Sequence, residues 1–188
     1  MINIIKVIIG ASAGGPQALK KLFSFNKEIN YPIILAMHNL SNQTENFKKY
    51  VENISNQKVH IVKNLKKIHN GIYIPDGGKD LIFFNKNTLT VSQKSDVVAP
   101  SINHLFESLA LYADENTYVF LLGGLGNDGS KGLKFLEKTR TIIYIQKDAQ
   151  FPYMTKNAMN AISHYIQMNL EDMNRVLIQL NEKIKNEK

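Results

Sequence analysis

The chain of 188 residues contains no cysteine. Disulfides, thiolate nucleophiles and cysteine-ligated metals are thereby excluded, so any nucleophile must be an oxygen or a nitrogen. Long apolar runs are missing too. None approaches the roughly 18 to 20 residues that a bilayer-crossing helix needs, and Met1-Ile2-Asn3-Ile4-Ile5-Lys6 lacks the layout of a secretory signal. The expectation is a cytoplasmic protein with no integral membrane segment. Glycine (11) and proline (5) are sparse beside 44% hydrophobic and 21% charged residues, which excludes collagenous, fibrous and disordered chains. The length suits one domain spanning residues 1–188.

Acidic residues are the scarcer charge, 16 against 23 Lys and Arg, for a formal net charge of +7. Such a balance favours acidic partners. The basic residues are scattered, however, with no basic stripe and no aromatic platform, so they read as solvated surface and no nucleic-acid role is expected.

What the sequence does have is an alternation of strand and helix patterns. Residues 4–10 are β-branched and nearly all apolar, as in a strand buried on both faces of a parallel sheet. Gly14-Gly15-Pro16 opens a helix whose apolar face is Leu19, Leu22 and Phe23. Residues 31–37 repeat the strand pattern, a helix is predicted from 43 or 44 to about 54, and 58–62 alternates like a third strand. Between 71 and 92 the period becomes two, with runs at 72–74, 81–84 and 88–91, predicting a β-hairpin excursion. Then come a helix from Pro100-Ser101 with Ser101 as cap, a strand at 118–122, a helix at 130–138, a strand at 142–146, a helix at 155–162, a short strand at 165–168 and a last helix at 170–184. This order predicts an α/β fold with a doubly wound, mainly parallel sheet and flanking helices, a Rossmann-like three-layer sandwich.

Parallel strands point their carboxyl ends at one edge, where ligands bind. Three loops at that edge carry reactive side chains: Gly10-Ala11-Ser12-Ala13-Gly14-Gly15, His38-Asn39, and Gly123-Gly124-Leu125-Gly126-Asn127-Asp128-Gly129. A serine hydroxyl becomes a nucleophile when an imidazole takes its proton and a carboxylate fixes the imidazole. Gly10-x-Ser12-x-Gly14 also fits a strand-to-helix nucleophile elbow, and the backbone N–H groups beside Ser12 suit a developing oxyanion. Other readings stay open. A glycine-rich turn of this kind also holds phosphate, although neither G-x-G-x-x-G nor a G-K-[ST] ending is present. His38 taken alone reads as structural, and Asp128 equally as a cap for the helix near Ser130. His60, His69, His104 and His164 read as surface or packing residues.

Together, Ile8-Ile9-Gly10-Ala11-Ser12-Ala13-Gly14-Gly15, His38 at the end of the second strand, Gly124-Leu125-Gly126-Asn127-Asp128-Gly129, Gly71-Ile72-Tyr73-Ile74-Pro75 and Pro100-Ser101-Ile102-Asn103-His104-Leu105-Phe106 resemble the catalytic domain of the chemotaxis protein-glutamate methylesterases over nearly the whole chain. The resemblance implies a serine hydrolase that demethylates glutamyl methyl esters on the cytoplasmic domains of methyl-accepting chemotaxis receptors, with deamidation of some glutamines. It implies Ser12 as nucleophile, His38 as general base and Asp128 as its orienting group, backbone oxyanion donors at Ala13 and Leu125, and neither cofactor nor metal. Departures from the family pattern stand at Ala13, Asn39-Leu40, Gly124-Leu125, Ala99, Asn103, Met154-Thr155 and Asp80, the last where histidine is common. The receiver domain common in the family has no counterpart here: the chain is either a fragment or a stand-alone protein, and Met1 directly before the first strand favours the second reading. The competing readings are a weak or inactive methylesterase-like module binding a receptor or other acidic protein, and a phosphate binder.

Overall fold

The computed structural model describes residues 4–24, 27–38, 41–93 and 98–186; Asn39 and Leu40 lie outside these. The first strand, β1 (Lys6–Ala11), is buried at every position. It pairs in parallel with β2 (Pro32–Met37) on one side and β8 (Thr117–Leu121) on the other. Beyond β2 lie β5 (Gly71–Pro75) and β3 (Val59–Val62), and beyond β8 lie β9 (Ile142–Gln146) and β10 (Ile166–Met168). The order β10-β9-β8-β1-β2-β5-β3 is that of a doubly wound sheet. The chain winds outward from β1 through β2, then returns across the sheet to β8. Its winding therefore reverses between β1 and β8, the place where the carboxyl ends of such a sheet open a crevice.

Alternation along each strand feeds two cores. Val7, Ile9 and Ala11 join Ile33, Leu35 and Phe120 in a cluster covered by α1 (Gly15–Leu22), α2 (Thr44–Ser55) and α6 (Leu170–Asn186), through Leu19, Val51 and Leu177. Ile8, Ile34, Val119 and Leu121 face the other way, against α3 (Ile102–Ala110), α4 (Ser130–Leu136) and α5 (Tyr153–Ala161), through Leu105, Leu133 and Ala158. Helices on both faces give the expected three layers.

One expectation is corrected. Residues 71–75 are no part of a hairpin excursion: β5 runs parallel between β2 and β3 in the main sheet, with all five residues buried. A strand covered on both faces reads as an unbroken apolar run, and five residues bounded by glycine and proline are too few to tell that from alternation. The hairpin consists of β6 (Lys79–Asn85) and β7 (Thr88–Gln93) alone. It is extended by β4 (Lys66–Lys67), whose two exposed lysines carry no strand signature.

Candidate active site

The turn after β1 is built so that a serine emerges from it. Gly14, the residue preceding α1, has φ 78, a left-handed conformation that glycine adopts without steric cost. Pro16 then starts the helix, where its missing N–H is no loss. The Ser12 carbonyl accepts the Gly15 N–H at 2.8 Å, and the Ser12 N–H donates to the Gly123 carbonyl at 3.1 Å, which ties this turn to the loop after β8. The two loops touch at Gly124, where a Cβ would lie 2.5 Å from the Ser12 Cβ. Only glycine permits that approach.

His38 follows β2 directly, and its N–H donates to the Ala11 carbonyl at 3.2 Å, extending the β1–β2 ladder past the last strand residue. Its ring lies between the other two groups: Nδ1 is 2.9 Å from Ser12 Oγ, and Nε2 is 2.7 Å from Asp128 Oδ2. Side-chain exposure is 14% for His38 and 9% for Asp128, so the pair is largely shielded while open at one edge.

Asp128 is the most heavily partnered group of the three. Oδ2 also accepts the Ile102 N–H at 2.8 Å, while Oδ1 accepts those of Asn103 at 2.8 Å and Gly129 at 2.9 Å. Burial by itself would push this carboxyl up. The hydrogen bonds from His38, Ile102 and Asn103, with attraction to His38, outweigh it and hold the group below the ordinary carboxylate range. An ionised Asp128 is acceptor only, so His38 Nε2 carries the proton. Nδ1 of the neutral ring then accepts from the Ser12 hydroxyl. Either ring nitrogen can act as a base when the other is held by a carboxylate.

Ser12, His38 and Asp128 are thus brought together from three loops. The alternative role for Asp128 is corrected: it caps α3 across space rather than α4, which begins at Ser130 after Gly129 and has no side-chain cap. Sequence spacing does not show such a contact, since 25 residues separate Asn103 from Asp128. Ser101 caps α3 as expected, accepting the His104 N–H at 3.2 Å. Among the described residues, the N–H groups of Ala13 and Leu125 donate to no carbonyl or side chain. Both stand in loops flanking Ser12, and Leu125 is exposed. A cavity of about 110 Å³ is lined by Ala13, Gly14, Gln17, Gly123, Gln146 and Asp148 among others, but by neither Leu125 nor the side chains of Ser12, His38 and Asp128. His60 stacks on Tyr73, and His164 meets Glu137, both away from Ser12. Among the described residues no cluster of three or more histidine or carboxylate side chains is placed to hold a metal ion.

The CheB methylesterase family model matches residues 7–177. A protein-glutamate methylesterase/protein-glutamine glutaminase of Bacillus subtilis is 31% identical over 68% of this chain and 38% of its own length. One of the same designation from Nitrosospira multiformis is 29% identical over 74% of this chain and 41% of its own length. The chain therefore spans about two fifths of these relatives. A putative protein of that designation from Leptospira interrogans is 24% identical over 96% of this chain and 97% of its own length. The crystal structure of the Thermotoga maritima CheB methylesterase catalytic domain superposes with a TM-score of 0.82, at 19% identity, covering 95% of this chain and all of that one. It shows that the three-layer fold is shared. With the family model aligned over 171 of its residues, from 7 to 177, the chain belongs to the CheB methylesterase family.

Proposed function

We propose that residues 1–188 form a single methylesterase catalytic domain that hydrolyses γ-glutamyl methyl esters on the cytoplasmic domains of chemotaxis receptors, with Ser12, His38 and Asp128 as its catalytic residues. The observation that carries this reading is the hydrogen-bonded series from Ser12 Oγ through both nitrogens of His38 to Asp128. Family membership and the designations of the relatives support the substrate class. The second activity in those designations, glutamine deamidation, uses the same attack on a γ-carbonyl.

Ser12 Oγ adds to the ester carbonyl carbon as its proton passes to His38 Nδ1. The resulting imidazolium lies against the Asp128 carboxylate, which stabilises its charge. The carbonyl oxygen becomes an oxyanion on the side of the Ala13 and Leu125 N–H groups; one such donor is worth roughly 2.7 to 4 kcal/mol of transition-state stabilisation in serine hydrolases. Collapse breaks the bond to methoxide, which takes the proton from Nδ1 and leaves as methanol. Water then gives a proton to Nδ1 and attacks the glutamyl–Ser12 ester. The second collapse returns that proton to Ser12 Oγ and frees the glutamate.

The test is a fluorophosphonate probe together with methanol release from a methylated receptor fragment. Wild type is expected to label and to release methanol, and Ser12→Ala to do neither. Labelling that persists in Ser12→Ala excludes Ser12 as the nucleophile, and labelling without methanol release excludes the substrate.

A further inference from the structure

The first turn of α3 leaves four backbone N–H groups without helical partners, and two carboxylates and one hydroxyl take them all. Ile102 and Asn103 donate to Asp128, His104 donates to the Ser101 hydroxyl, and the Ser101 N–H donates to Asp80 Oδ1 at 2.7 Å. Asp80 stands near the start of β6 and is fully buried at 0% exposure. Its other oxygen, Oδ2, is 3.1 Å from His104 Nδ1, one turn into the same helix. β6 meets α3 a second time further along, where the Phe83 N–H donates to Ser108 Oγ at 3.0 Å.

A buried carboxylate costs several kcal/mol in desolvation unless hydrogen bonds offset it, and at this position Ser101 and His104 both belong to the capped start of the helix that holds Asp128. The positive end of α3 is therefore shared by two anions, one reaching it from the hairpin and one from the loop after β8. Displacing that end moves the Ile102 and Asn103 N–H groups, which fix both oxygens of Asp128, and through them the ring of His38.

We propose that Asp80 is a positioning residue for the reaction: by anchoring the start of α3 it sets the place and orientation of Asp128 and hence of the His38 base. The inference rests on the esterase reading for its kinetic consequence, but its structural content can be read without turnover. It separates three substitutions. Asp80→Ala removes the contacts to Ser101 and His104. Asp80→Glu keeps the charge but lengthens the arm by one methylene against a packed helix. Asp80→Asn keeps an oxygen for the Ser101 N–H and presents its amide to His104.

Two measurements on the whole chain decide it. The first is the downfield proton resonance of the His38 Nε2–H held by Asp128, recorded by NMR. The second is kcat and KM on a small methyl ester. In Asp80→Ala and Asp80→Glu the resonance is expected to shift upfield or broaden, and kcat to fall on the order of 10- to 100-fold with KM within about twofold, because a displaced base slows the chemistry rather than binding. Asp80→Asn is expected to keep the resonance and to stay within about threefold of wild type. A folded Ala or Glu variant with wild-type resonance and kcat overturns the proposal, as does an effect confined to KM, or an Asn variant as impaired as the others. If Asp80→Ala does not fold, the contrast between Glu and Asn gives the answer. A wild type that fails to turn over the ester removes the esterase reading, and the resonance alone then judges Asp80.

Discussion

At the scale of single residues, Asp128 shows how much chemistry one carboxylate can organise. Its two oxygens receive four donors, two on each oxygen. Asparagine has only one acceptor oxygen, so Asp128→Asn turns an amide N–H₂ either toward the Asn103 and Gly129 N–H groups or toward Ile102 and His38. In the second orientation it presents a donor to Nε2, which favours the tautomer whose Nδ1 carries the proton and cannot accept from Ser12. We expect kcat to fall on the order of 10³- to 10⁴-fold, as the equivalent swap does in other Ser-His-Asp sites. The mismatched donors should cost about 1 to 3 kcal/mol of stability. That cost has a pH signature. The carboxyl is held below its ordinary range in the folded protein, so its stabilisation is complete above that range and is lost as pH falls through the folded value. The stability gap between wild type and Asp128→Asn, from urea unfolding, should therefore be widest near neutrality and narrow in acid; a gap independent of pH contradicts the ionised, hydrogen-bonded assignment. The residues of the site were legible because strand ends and reactive side chains coincide at Ser12, His38 and Asp128. The groups that hold Asp128 were not, because they are backbone N–H groups of a distant helix and carry no side-chain signature.

At the scale of elements, β1 carries a second unusual residue at its far end. Lys6 is 1% exposed and its Nζ has no hydrogen-bond partner among the described residues. Burial lowers its pKa, attraction to Asp114 works against this, and repulsion from Lys86 adds to it. Below the folded value the protein bears a buried ammonium, and stability rises with pH from that value up to the ordinary value of the unfolded lysine. Lys6→Met keeps the length of the chain and removes the charge. It should stabilise the protein by about 1 to 3 kcal/mol near neutral pH, raising Tm by about 2 to 4 °C per kcal/mol, with the advantage shrinking in alkaline buffer. The start of β1 lies six residues, about 20 Å of extended chain, from Ser12, so turnover should be unchanged. Calorimetry at two pH values checks it, and a loss of stability in Lys6→Met would show the ammonium to be well paired. Most elements were readable from periodicity, and the failures share one cause. β5 and β4 are short, and their place is decided by neighbours far away in the chain: β2 and β3 for one, β7 for the other.

At the scale of the whole molecule, the sheet is common to both cores. Ile8 belongs to one cluster while Val7 and Ile9, its chain neighbours, belong to the other. The layers were predictable from strand and helix alternation. The strand order was not, because nearly continuous apolar runs look alike wherever they sit in the sheet. This arrangement has a consequence for unfolding. Neither helical layer can detach without exposing one face of strands whose other face is still packed, so the two cores should melt as one unit. Leu19 in α1 and Leu133 in α4 lie on opposite sides and are both fully buried. Leu19→Ala and Leu133→Ala should each cost about 2 to 5 kcal/mol. Each should also move a single transition, with near-UV and far-UV circular dichroism changing together. Were the layers independent, each substitution would shift only part of the signal and the two probes would separate. A site assembled from loops that belong to both halves of the sheet, Ser12 and His38 on one side of the reversal and Asp128 on the other, can exist only if they do not.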